Sequence, residues 1–283
     1  MRTALVVHAH PDDEVFATGA ATIALSAAGW RVVLRVATGG EASEDPALGE
    51  VEARRVRSEK LSRSCELLGI AEWAWLGEWV DRGGAGPGTV ADEESAVLVD
   101  AVRRALGEVR PELVLTVGSD GLTGHPDHVA IGAAVREAAD GVLGARVRAA
   151  DVQVAQERIR EYLSGERQVG SGRVLGVGNE VVLEEVPGDG WRVGGEAADR
   201  RREAADRRRE AADRRREAAE RRREAEERRR EVAERRRRAL DVYQPGLGTL
   251  PLEQVLGGRL GDSVLLRAVL DVAGWDRDLF ERG

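Results

Sequence analysis

The stretch "TALVVHAHPDDE" (residues 3–14) decides how the rest of the chain is arranged. Its first half, "TALVV" (3–7), is a short apolar run rich in valine and leucine, the composition of a buried parallel strand. Its second half places two histidines and three acids within seven residues, from His8 to Glu14. "VFATGAATIALSAAG" follows, alanine-rich and helical in composition, with Gly29 as its C-cap. A strand therefore runs into a polar turn dense in imidazole and carboxylate, and a helix leaves it.

The same alternation continues outward. Strands are predicted over 31–38, 72–77 and 111–118, and helices over 50–68 (ended by Gly69), 92–108 and 128–139. Strands alternating with helices predict an α/β domain with a mostly parallel sheet. Beyond residue 145 the pattern weakens. Residues 151–164 suit a helix, and 173–193 read as β-rich with a turn at "PGDG".

Composition narrows the function classes. The 283 residues suffice for one large domain with appendages, and the net charge of −8 gives no global pull toward nucleic acid or membrane. Cys65 is the only cysteine, which excludes an internal disulfide and fits a reducing compartment. No apolar run approaches the roughly 20 residues of a spanning helix. The apolar run at the N-terminus meets charges by residue 12, unlike a signal peptide. A cytoplasmic location with no membrane partner is the expectation.

All four histidines, His8, His10, His125 and His128, lie in two short clusters, "HAHPDD" and "HPDH". Each cluster follows a predicted strand and precedes a predicted helix. In open α/β sheets ligands bind beyond the carboxyl ends of the strands, so segments over a hundred residues apart can meet there. Zinc takes imidazole nitrogen and carboxylate oxygen, and a catalytic zinc keeps three protein ligands and an open position. His10 and Asp13 are close enough across the turn to chelate one ion, and His128 can complete the set. Such a His₂Asp set also suits other divalent ions, iron or manganese among them. Asp12, adjacent but not a ligand, is placed for a general base. His125 remains to donate to an oxyanion or to protonate a leaving amine, with Asp127 expected to hold it in the right tautomer. A plainer reading competes, in which Asp12 and Asp127 are N-caps of the helices they precede. His8 reads equally as a packing residue, and Glu14 as a structural acid at a helix start.

At these residues the chain resembles the LmbE-like or PIG-L zinc-dependent N-deacetylases. The signatures stand here as "HAHPDDE" (8–14) and "GSDGLTGHPDH" (118–128), the first closest in form to the actinobacterial mycothiol-pathway members. "ATGGEAS" (37–43), "CELLGI" (65–70) and "RALDVYQ" (238–244) are lesser echoes. The resemblance covers residues 1 to about 140, is patchy over 141–195 and is absent over 196–237. It implies a Rossmann-like fold with helices on both faces of the sheet. It implies one zinc ion on His10, Asp13 and His128, with Asp12 as base and His125, oriented by Asp127, as acid or oxyanion stabiliser. It implies hydrolysis of an acetamide on a glucosamine-type sugar, and Arg57 is taken as a substrate contact. The family's acid near position 60 is a lysine here, Lys60, the chain's only one.

The remaining segment is a literal repeat. "EAADRRR" begins at Glu196, recurs at 203 and 210, and decays through three more heptads to Arg237. Its residues favour a helix, and the Glu that opens each heptad pairs with an Arg four later, as Glu196 with Arg200. Two adjacent alanines per heptad do not make a coiled-coil seam. The segment carries 18 arginines against 13 acids, a net +5, but its interleaved acids and lack of aromatics argue against nucleic acid. The predicted organisation is a catalytic domain over 1–195, a charged helix over 196–237, and a C-terminal helix and tail over 238–283 packing on the catalytic domain. The expected function is a zinc-dependent N-deacetylase acting on a small N-acetylated sugar. The alternatives are an amidase for a bulkier thiol conjugate, or a degenerate member that engages a protein partner or itself through 196–237.

Overall fold

The computed structural model describes residues 1–119, 121–139, 146–150, 199–255 and 262–278. The expected helix over 151–164 and the β-rich stretch over 173–193 lie outside them. The chain divides into one compact unit formed by residues 1–180 and 232–283, and a second formed by 181–231.

In the first unit the strands are β1 (Thr3–His8), β2 (Arg31–Val36), β3 (Glu72–Trp75), β4 (Leu113–Val117) and β5 (Arg146–Ala150). They pair in parallel in the order β3-β2-β1-β4-β5. The helices are α1 (Asp13–Phe16), α2 (Gly19–Ala27), α3 (Glu50–Leu68), α4 (Ser95–Val109), the short α5 (Gly121–Gly124) and α6 (Pro126–Ala139). This is the α/β fold that the alternating pattern predicts. Gly29 and Gly69 take the left-handed conformation expected just past α2 and α3.

β1 shows why the strands read as mostly apolar runs. Val6 faces one core with Leu34, Leu115, α1, α2 and α3, while Leu5 and Val7 face a second core with α4 and α6. Both faces of the sheet are therefore covered. Strand order reverses between β1 and β4, so their carboxyl ends flank a crevice at the sheet's switch point. The segments that leave those two ends are the two histidine clusters.

The chain after the repeat returns to the first core. The helix α7 (Asp199–Tyr243) continues past the last heptad, and its final turns bury Ala239, Leu240 and Tyr243. After the short α8 (Leu252–Val255), α9 (Asp262–Ala273) adds Leu266, Val269 and Leu270 to that core, followed by Trp275. In the second unit, the described side chains from Arg216 to Glu231 are exposed apart from half-buried Ala218 and Ala225, as alternating acid and arginine dictate. Among the described residues no helix is long and apolar enough to cross a membrane.

Candidate active site at the sheet switch point

His10, from the loop after β1, and His128, from the first turn of α6, meet over the crevice. His10 Nδ1 lies 2.9 Å from His128 Nε2. The Asp13 carboxylate closes the triangle, one oxygen 3.1 Å from His128 Nε2 and the other 3.9 Å from His10 Nδ1. The outer nitrogens of both rings are committed as donors. His128 Nδ1 donates to the Gly121 carbonyl at 2.9 Å, and His10 Nε2 donates to Asp127 at 3.1 Å. Each ring then turns a lone pair toward the other at 2.9 Å, which is repulsive unless a cation or proton lies between them. The donor set passes that test for a metal: two imidazole nitrogens, each held by a hydrogen bond from its far side, and one carboxylate. His10 and His128 also group with His125 as potential donors, and His10, Asp81 and Asp127 form another cluster. The Asp81 cluster uses the nitrogen by which His10 donates to Asp127, so the site at His10 Nδ1 and His128 Nε2 is the better candidate.

Electrostatics agree with that geometry. Burial pushes His10 down, but the Asp127 hydrogen bond and the charges of Asp13, Asp81 and Asp127 more than offset it, raising it to about 9. Burial works to raise Asp13, and the His128 and His10 charges nevertheless hold its carboxyl well below the usual carboxylate range. The pocket thus favours positive charge at its centre. His8, fully buried with Nε2 2.9 Å from the Thr18 hydroxyl, is lowered to about 4 by burial and stays neutral. It packs beneath the site, the plainer of the two roles considered for it.

Asp12 stands beside this cluster in a left-handed conformation, φ 101°, that a non-glycine residue adopts only under constraint. It makes no side-chain cap hydrogen bond to α1, so the N-cap reading fails for it. Burial and the Asp13 charge raise its pKa, against the opposing pull of Arg57. His125 is half-buried, its ring centroid 4.8 Å from that of His10 and 4.9 Å from that of His128. The Asp127 backbone N–H donates to His125 Nδ1 at 3.3 Å, which leaves Nε2 to carry the proton. Burial, with the neighbouring histidine charges, lowers its pKa.

The structure gives two of the expected residues other contacts. Asp127 does not orient His125 through its carboxylate: one oxygen goes to His10 and the other accepts the Ala91 N–H at 2.8 Å. A carboxylate at the first turn of α6 reaches across the crevice more readily than back along its own turn. Arg57, expected as a substrate contact, is 1% exposed, donates to the Pro11 carbonyl, and meets Asp12 Oδ2 at 3.1 Å. Gly40, with φ 67°, makes this path, because a Cβ there would come within 2.9 Å of the guanidinium.

Three acids near the site carry contacts for which the motifs assigned no role in the chemistry. Asp81, after β3, lies 3.9 Å from His10 Nε2. Glu41, after β2, accepts the Asp81 N–H at 2.9 Å. Both follow strand ends, and that position was the available signal. Glu14 is buried and raised to about 7, burial outweighing its hydrogen bonds from Ser64 and Tyr243.

Fold and site together define an α/β protein with a candidate metal centre at its sheet switch point. Residues 5–139 match the family described as PIG-L: GlcNAc-PI de-N-acetylase. The chain is 34% identical over 196 residues to a 1D-myo-inositol 2-acetamido-2-deoxy-alpha-D-glucopyranoside deacetylase of Kineococcus radiotolerans, covering 59% of this chain and 54% of that protein. It is 37% identical over 145 residues to deacetylase 3 of the same description from Catenulispora acidiphila, covering 44% and 41%. The chain thus spans about half the length of the curated relatives it matches. Among solved structures, the N,N'-diacetylchitobiose deacetylase of Pyrococcus horikoshii shares 25% identity at a TM-score of 0.42, covering 49% of each chain. The matched residues include both histidine signatures, so the family matched is the one that those signatures resemble.

Proposed function

We propose that this protein is a zinc-dependent amide hydrolase that removes the N-acetyl group from a glucosamine-type sugar. The observation that carries the reading is the convergence of His10 Nδ1 and His128 Nε2 at 2.9 Å with the Asp13 carboxylate beside them. His10, Asp13 and His128 would hold the ion. The chemistry supplied by such an ion is Lewis acidity, which lowers the pKa of water toward neutrality and polarises an amide carbonyl. Asp12 takes the proton of the attacking water, its raised pKa suiting it to hold that proton. His125 presents Nε2–H to the acetamide oxygen as charge develops there. Once the water oxygen has bonded to the acetyl carbon, Asp12 returns the proton to the nitrogen and the C–N bond breaks, giving acetic acid, which ionises to acetate, and the free amine. Asp127 keeps His10 turned with Nδ1 inward.

The substrate class is carried over from the relatives, so the direct test is acetate release. The zinc-supplied chain is expected to release acetate from 1D-myo-inositol 2-acetamido-2-deoxy-alpha-D-glucopyranoside, and Asp13→Ala to bind little zinc and release none. Larger acyl groups leaving faster than acetate would favour the amidase alternative. No acid released from any N-acyl sugar would sink the hydrolase reading.

A second expectation follows from His10. A proton and the ion compete for its inward nitrogen, and His10 keeps its proton up to about pH 9. Apparent zinc affinity should therefore climb by up to about tenfold per pH unit from pH 6.5 toward 9 and then flatten, with about one proton released per ion near pH 7. Calorimetric titration in buffers of different ionisation enthalpy reads both, and affinity constant across that range would remove His10 from the ligand set.

A further inference from the structure

Tyr243 is the last residue of α7, more than two hundred residues from the first histidine cluster, yet it closes a ring around Asp12. Its hydroxyl donates to Glu14 Oε1 at 2.7 Å, beside the Ser64 hydroxyl at 2.6 Å. The other oxygen of Glu14 accepts the Asp12 backbone N–H at 2.9 Å. The face of the Tyr243 ring carries the Arg57 guanidinium, 4.9 Å from its centroid. That guanidinium in turn meets the Asp12 carboxylate at 3.1 Å. One side chain therefore supports Asp12 at both ends, its amide through Glu14 and its carboxylate through Arg57. Tyr243, Glu14 and Arg57 are all buried.

The ring encloses a strained residue. A backbone at φ 101° relaxes unless its surroundings over-determine it, and at Asp12 the Glu14 and Arg57 contacts supply that constraint. Tyr243 is no part of the histidine clusters, and it enters the core only because the last turns of α7 bury Ala239 and Leu240 against α1 and α3. We infer that Tyr243 is a positioning residue for Asp12, so that the segment after the heptads completes the active site assembled by residues 5–139. The inference rests on the proposed role of Asp12 as base.

The test uses the full zinc-supplied chain. Tyr243→Phe keeps the ring under Arg57 and removes only the hydroxyl; Tyr243→Leu removes both supports. Zinc content and KM should stay near wild type, while kcat falls about tenfold in Tyr243→Phe and about a hundredfold in Tyr243→Leu. Leu266→Ala, in the same core but outside the ring, should keep kcat within about twofold when assayed below its melting temperature, which separates positioning from general loosening. Exchange of the Asp12 amide proton, followed by NMR, gives a readout independent of turnover: it should quicken at least about tenfold in Tyr243→Phe, since its acceptor Glu14 is freed. With an active wild type, kcat within twofold in both Tyr243 variants would overturn the inference. If the wild type turns over no substrate, the hydrolase reading falls, and the inference is decided by the amide alone: unchanged exchange overturns it, faster exchange sustains the positioning of Asp12.

Discussion

Asp12→Asn should fold, keep its zinc, and lose about 10²–10⁴-fold in turnover. That range corresponds to about 3–5 kcal/mol of transition-state stabilisation. Asparagine is chosen over alanine for two reasons. It tolerates the left-handed backbone that residue 12 adopts, φ 101°. Its side-chain oxygen still accepts from Arg57, so no buried guanidinium is stranded. The ligand atoms of His10, Asp13 and His128 are untouched, so metal content and turnover separate cleanly. What the amide lacks is the capacity to take a proton from water. Loss of turnover with zinc retained supports the base; activity within tenfold of wild type would transfer that role to another group.

The motifs made the centre of the site legible because its information is local. "HAHPDD" and "HPDH" each pair ligand-type side chains with a strand before and a helix after, and parallel-sheet geometry brings such turns together. Side-chain direction was harder to foresee. Asp127 meets His10 rather than His125 because the crevice between β1 and β4 is narrow enough to cross, a tertiary distance no spacing encodes. Arg57 faces inward because Gly40 leaves room and the Tyr243 ring lies beneath it, partners 17 residues before it and 186 after it in the sequence. The sheet was legible for the opposite reason: β1, β2 and β4 are buried on both faces, so their runs are mostly apolar, broken by Arg35 in β2 and Thr116 in β4 within their buried stretches. β3 is only half-buried to exposed, and its run is correspondingly mixed, Glu-Trp-Ala-Trp.

The repeat shows most sharply where sequence identity misleads. Arg222 and Arg236 occupy the same place in their heptads, yet Arg222 is exposed and Arg236 is fully buried. Only the valine at 232 and the apolar "ALDVY" that follows mark the last heptad as different. Arg236 is spent on the ends of other elements. Its Nε donates to the Val15 carbonyl at 2.7 Å and its Nη2 to the Phe16 carbonyl at 2.8 Å, two of the carbonyls at the end of α1 that lack helical partners. Its Nη1 donates to the Arg277 carbonyl at 2.9 Å, and its Nη2 pairs with Asp278 at 2.6 Å, both side chains 1% exposed. Burial lowers the Arg236 pKa and raises that of Asp278, so each ion is tolerable only because the other is present. Arg236→Met keeps the volume of the stem but leaves a buried carboxylate and the α1 carbonyls without their donor. It should lower the free energy of unfolding by about 3–5 kcal/mol, read by urea denaturation. Arg222→Met, the same change at the same heptad position two heptads earlier, should stay within about 0.5 kcal/mol. Pairing Arg236→Met with Asp278→Asn should recover part of the loss, because the stranded charge is gone while the Ala21 N–H keeps an acceptor in the asparagine oxygen. A loss below 1 kcal/mol in Arg236→Met would mean that the end of α1 finds other donors, and that the C-terminal segment is held to the fold by its apolar contacts alone.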